Sequence, residues 1–142
     1  MFETCLAKQQ ELRSLFTSLA SAEAKYEKII SMGKELPSFP LAEKKLENLV
    51  SGCQSILHLS CIFDKEKLYF NADSEAMISK GLAALLIYVY NGEFPEAVLK
   101  CPPAFLQDIG IGQWISPSRS NGLRGLFLKM QQSAAQFLVA RQ

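Results

Sequence analysis

No run of the sequence approaches the roughly 20 consecutive apolar residues that a membrane-spanning helix needs. The opening residues, MFETCLAKQQ, also lack the basic stretch and apolar core of a secretory signal. A cytoplasmic protein that stays off membranes is expected. Charge of one sign is missing too. The 15 lysines and arginines stand against 14 aspartates and glutamates and are scattered through the chain, which argues against nucleic acid as a main partner. There is one histidine, and no Cys-x-x-Cys pair to support thioredoxin-type redox chemistry or a usual zinc site. Gly110-Ile111-Gly112 is too short for a phosphate loop and has no strand before it.

What is present suits a single globular domain over residues 1–142. The chain is 49% hydrophobic and 20% charged, and its length is enough to bury a real core. Its four cysteines, Cys5, Cys53, Cys61 and Cys101, lack the dense framework of small secreted domains, so free thiols are expected.

Apolar residues from Phe2 to Leu19 recur at helical spacing, and Ser21 is placed to cap a second helix through Tyr26, Ile29 and Ile30 that Gly33 would end. Pro37 and Pro40 make a connector. The period then changes to two. Leu57, Leu59, Cys61 and Phe63 fall on one face, with Ile56, His58, Ser60 and Ile62 on the other. Leu49-Val50 reads as a short strand, Ser51-Gly52 as a tight turn, Gln54 to Phe63 as a longer strand, and Leu68 to Phe70 as a third strand after a turn at Asp64-Lys65-Glu66. A strongly apolar helix follows Asp73-Ser74, either of which can cap it, and stops at Asn91-Gly92. Pro95 starts a short helix that Pro102-Pro103 breaks, a loop-rich stretch passes Trp114, and a last helix begins after Ser116. The fold class is α+β: a small antiparallel three-stranded sheet covered by helices.

Chemistry centres on Cys53. Gly52 beside it can take positive φ and present the thiol from a sharp turn, although local geometry alone does not separate this from an ordinary turn. Zinc binding by Cys53, His58 and Cys61 is disfavoured, because His58 and Cys61 differ by an odd number of residues and point to opposite faces of a strand. A Cys-His hydrolase is disfavoured as well: five extended residues span about 16 Å against the roughly 3 Å a nucleophile and its base need.

The run Asn48-Leu-Val-Ser-Gly-Cys-Gln-Ser55 resembles the active-site signature of the SufE family of sulfur acceptors. Three further segments agree in order: Tyr26-Glu-Lys-Ile-Ile-Ser-Met-Gly33 with Leu36-Pro37, Asp73-Ser-Glu-Ala-Met-Ile-Ser-Lys-Gly-Leu82, and Ser116-Pro-Ser-Arg-Ser-Asn-Gly-Leu123. One departure is visible, since members often carry Trp shortly after the Gly-Cys-Gln-Ser run where this chain has His58.

The resemblance implies a fold similar to the iron-sulfur scaffold protein IscU. It further implies that Cys53 takes sulfur as a persulfide from a cysteine desulfurase, stimulates that enzyme, and passes the sulfur to an iron-sulfur scaffold complex. No cofactor is expected on this chain, pyridoxal phosphate belonging to the desulfurase, and no metal. Such a carrier is a sulfur-transfer accessory, free as a monomer or weak homodimer. Arg119 is a candidate to contact the thiolate or the partner, or else braces the loop before the last helix. Gly52, Gln54 and Ser55 are expected to support the cysteine loop, Gln54 and Ser55 either by orienting it through side-chain hydrogen bonds or simply by satisfying turn backbone. Glu75 and Lys80 lie in a region that in this family faces the desulfurase, though Glu75 also complements a helix dipole. Two rival roles stand beside this one, an iron-sulfur cluster scaffold and a regulatory adaptor that carries no sulfur.

Overall fold

The computed structural model describes residues 1–141. Helix α1 (Glu3–Ser18) buries Cys5, Gln9, Leu12 and Phe16, a stripe at alternating spacings of four and three. Helix α2 (Ala22–Lys34) starts at Ser21, whose hydroxyl accepts from the Ala24 amide at 3.1 Å. Gly33 does not end α2. The helix continues through it to Lys34, and the missing side chain lets α2 approach the backbone of Gly81, which a Cβ at position 33 would meet at 2.9 Å.

After the proline connector come two single-turn 3₁₀ helices, Leu41–Glu43 and Leu46–Asn48. The sheet is a hairpin of β1 (Leu57–Asp64) and β2 (Lys67–Ser74), antiparallel and in register from Leu57 opposite Ser74 to Asp64 opposite Lys67. Lys65 and Glu66 both adopt positive φ, 50° and 68°, which suits the twist of a two-residue hairpin turn even without Asn-Gly. Leu57 and Leu59 are buried and Ile62 is exposed, so the two faces fall as the period-two pattern requires.

Among the described residues the expected third strand is not formed, and the sheet has two strands. Leu49 makes an isolated bridge to His58, and the Val50 amide donates to the Leu57 carbonyl at 2.9 Å. The cause is local. The 3₁₀ turn ending at Asn48 and the turn at Ser51-Gly52 leave only two residues free to run extended between them.

Helix α3 (Met77–Tyr90) is the centre of the molecule, burying Gly81 through Ile87, Val89 and Tyr90 and packing on α1, α2 and β2. Neither Asp73 nor Ser74 is its N-cap. That position is Ala76, and the Ser74 hydroxyl accepts from the Ala76 amide while donating to the Ile56 carbonyl. Helix α4 (Pro95–Lys100) begins with its proline. Where a loop was expected, two single helical turns occur, α5 (Phe105–Asp108) and α6 (Ile111–Trp114). Helix α7 (Pro117–Arg141) closes the chain against α3, α4 and β1, with the Ser116 hydroxyl accepting from the Arg119 amide at 3.3 Å. Among the described residues no helix is long and apolar enough to cross a membrane.

Candidate functional site

The neck of the cysteine loop is the Val50 to Leu57 hydrogen bond. Above it, Gly52 stands at φ +85°, a conformation that a residue with a Cβ adopts only at a cost, and it turns the chain so that Cys53 lies half-buried against α7. The Cys53 thiol donates to the Gly122 carbonyl across 3.7 Å, and Ser118 Oγ donates to Gln54 Oε1 at 2.9 Å. The loop is thus held from both sides, by the hairpin below and by the first turns of α7 alongside.

Beside the sulfur is a cavity of about 40 Å³, walled on its apolar side by Leu57, Leu82, Leu123 and Leu126 and on its polar side by Ser79, Ser118 and Arg119. A cavity needs about 10–15 Å³ of such space to hold one water-sized group, so this one has room for an additional atom or two and excludes anything large. Burial pushes the Cys53 thiol up from its ordinary value, because the surroundings disfavour the thiolate more than water does.

Cys53, Gln54, Ser55 and Arg119 all line this cavity, and Gly52 forms the turn beside it. Glu75 and Lys80 do not line it. Glu75 is exposed, and Lys80 Nζ lies 3.2 Å from Asp73 Oδ1, with Lys44 Nζ 2.9 Å from the other oxygen. The Asp73 carboxyl is held below its usual value by the hydrogen bond from Lys44 first and by Lys80 after it, against the opposing effect of burial. His58 also lies outside the cavity lining. It faces outward opposite Asp73 across the hairpin, its ring 6.3 Å from that of Phe39.

Ser79, Leu82, Gly122 and Leu126 escaped the sequence reading as site residues. Leu82 and Leu126 look like any other apolar helix position, and only the crossing of α3 with α7 near the loop brings them together. Gly122 sits inside one of the matching segments, four residues into the helix from Ser118, and that spacing was the available signal.

The other thiols are elsewhere. Cys5 and Cys101 are buried with their sulfurs 3.4 Å apart, and the Gln9 amide lies over both. Desolvation, and next the neighbouring Cys101, push the Cys5 thiol up to about 12. Cys61 lines a separate groove with Phe137 and Lys129, and burial pushes it to about 12 as well. Among the described residues no three His, Cys, Asp or Glu side chains converge in a metal-holding group.

The model of the SufE family, described as an Fe-S metabolism associated domain, matches residues 10–134, a span that takes in the Cys53 loop, both strands and the part of α7 that faces them. The chain belongs to the SufE family. Among SufE relatives, SufE-like protein 1, chloroplastic/mitochondrial, of Arabidopsis thaliana is 38% identical over 128 residues. That match covers 89% of this chain but 34% of the plant protein, so the chain spans about a third of that relative's length. The sulfur acceptor protein CsdE of Escherichia coli (strain K12) is 33% identical over 119 residues, covering 82% of this chain and 81% of CsdE. The solution structure of a hypothetical protein from Thermus thermophilus superposes with a TM-score of 0.79 at 26% identity, covering 93% of this chain and 96% of that one. The arrangement of helices on a small sheet is therefore shared beyond this SufE chain.

Proposed function

We propose that the chain is a sulfur acceptor and carrier in iron-sulfur metabolism, and that Cys53 holds the sulfur as a persulfide. The observation that carries this reading is a single thiol on a glycine turn, half-buried beside a cavity with room for roughly one more atom. Family membership and the 33% identity to a sulfur acceptor protein support it.

The reaction is a relative of thiol-disulfide exchange. The Cys53 thiolate attacks the terminal sulfur of a persulfide on a cysteine desulfurase. The sulfur-sulfur bond on the desulfurase breaks, its cysteine leaves as a thiolate, and a new sulfur-sulfur bond forms on Cys53. Pyridoxal phosphate stays with the desulfurase, and this chain needs no cofactor of its own for the step.

Because burial disfavours the resting Cys53 thiolate, deprotonation belongs to the docked complex, where the loop opens and the Arg119 guanidinium stabilises the anion. Glu75 and Lys80 flank the start of α3, next to the cavity residue Ser79, and this edge faces the desulfurase. The sulfur then passes to an iron-sulfur scaffold complex. The helices packed on one face of a small antiparallel sheet support a likeness to the scaffold protein IscU, while the distance of Cys53 from the buried Cys5-Cys101 pair and from Cys61 in its own groove favours carrying sulfur over building a cluster here.

Incubation with a cysteine desulfurase and cysteine, followed by intact-mass and peptide analysis, tests the proposal. The mass of one sulfur atom is expected on the peptide containing Cys53, and none in Cys53→Ser. A Cys53→Ser protein that stimulates sulfide release as well as the unaltered chain does would overturn the carrier role and leave an adaptor.

A further inference from the structure

The loop that carries Cys53 rests in a notch of α7 made by two missing side chains. Positions 118, 122 and 125 fall on one face of a helix, being related as i, i+4 and i+7. The loop runs past them in reverse order: Gln54 meets Ser118, Cys53 meets Gly122 and Ser51 meets Gly125. A Cβ on Gly125 would stand 2.1 Å from the Ser51 carbonyl oxygen, and one on Gly122 would stand 3.2 Å from Cys53 Sγ and 3.7 Å from its Cα.

Neither glycine serves the backbone. Positive φ among the glycines occurs at Gly52, Gly92 and Gly110, and α7 runs helically through 122 and 125. In a helix interior each glycine costs about 1 kcal/mol relative to alanine. Two such costs, one turn apart on the face that meets the loop, have a use only in the space they leave. Gly112 in α6 is the contrast, since a Cβ there would meet nothing within 4 Å.

We propose that Gly122 is a positioning residue for sulfur transfer: its missing side chain sets the depth at which Cys53 Sγ rests against α7 and keeps open the adjoining cavity into which an accepted sulfur atom folds, while Gly125 seats the loop at Ser51. The second half of this statement rests on the carrier reading of Cys53. The first half, the depth of the resting thiol, does not. In Gly122→Ala the new methyl group crowds the sulfur, the inward position of the loop loses occupancy, and Cys53 spends more time outside.

The test uses the free full chain and measures iodoacetamide alkylation of Cys53 and of Cys61 by peptide mass, in the unaltered protein, Gly122→Ala and Gly112→Ala. Cys53 in Gly122→Ala should react about tenfold faster, the change that about 1.4 kcal/mol of lost closed-loop preference gives. Cys61 in its separate groove should keep its rate, and Gly112→Ala should match the unaltered protein at both thiols. Once loaded with sulfur, Gly122→Ala should also lose it to a thiol reductant faster than the unaltered chain. An unchanged Cys53 rate in Gly122→Ala overturns the proposal. So does a parallel rise at Cys53 and Cys61, which reports general loosening or unfolding. If the unaltered chain takes up no sulfur at all, the carrier reading fails, while the alkylation rates still judge the depth of the thiol.

Discussion

At Cys53, two properties that look opposed belong to one design. A nucleophilic thiol reacts as its anion, yet burial holds this one in its neutral form. A sulfur that must not be lost to stray thiols or oxidants before delivery gains from that suppression, provided docking relieves it. The pH dependence of alkylation makes this measurable. In the folded free protein the rate at Cys53 should rise with a midpoint above the one seen in a urea-denatured control, because the folded environment holds the proton more tightly. The sequence made Cys53 and Gly52 legible, since a glycine turn beside a cysteine is a local pattern. That an accepted sulfur needs partial shelter by apolar neighbours follows from its chemistry, but which groups supply it does not, because Leu82, Gly122 and Leu126 come from two helices distant in the chain. Coincident midpoints in the folded and denatured chains would remove desolvation as the cause.

Among the elements, the crossing of α2 and α3 shows the same use of absent side chains in a purely structural setting. A Cβ on Gly81 would stand 2.3 Å from both the Ile29 carbonyl oxygen and its Cγ2. Replacing a helical glycine by alanine ordinarily gains about 1 kcal/mol, but overpacking a tight core costs about 1–3 kcal/mol, and here the clash is partly with backbone that cannot rotate away. Gly81→Ala should therefore lower stability by about 2 kcal/mol, seen as a lower urea midpoint with an unchanged slope. Gly112→Ala should not lower it. Helix positions were largely readable because their apolar stripes repeat locally, as at Cys5, Leu12 and Phe16. Gly33 reads as a helix end for a related reason: a glycine near the end of an apolar pattern signals a stop unless another helix lies against it, and only the folded chain shows Gly81 there. The missing third strand has the same origin. Leu49-Val50 has strand composition, but the turns at Asn48 and Gly52 on either side leave it room for a single bridge.

For the molecule as a whole, several weakly acidic groups are kept in their protonated forms by desolvation, Cys5 and Tyr90 in the core and Cys61 half-buried in its groove. Desolvation raises Cys61 and Cys5 from an ordinary 9.0 to about 12, and it raises the Tyr90 hydroxyl, which donates to the Cys101 carbonyl, above its usual 10.0. The folded chain keeps these protons at a pH where the unfolded chain has released them. Between about pH 9 and 12 the unfolded state therefore binds fewer protons than the native state, and stability falls as pH rises through that window. Well below about pH 9 both states are protonated at these sites, and the thiols contribute no slope. Cys61→Ala removes one such proton without touching the Cys53 loop, so its urea midpoint should fall less steeply with alkaline pH than that of the unaltered protein, whatever cost the lost sulfur imposes at neutral pH. Equal slopes for the two proteins would mean that Cys61 ionises as freely in the fold as outside it, and that the groove between β1 and α7 admits enough water to solvate a thiolate.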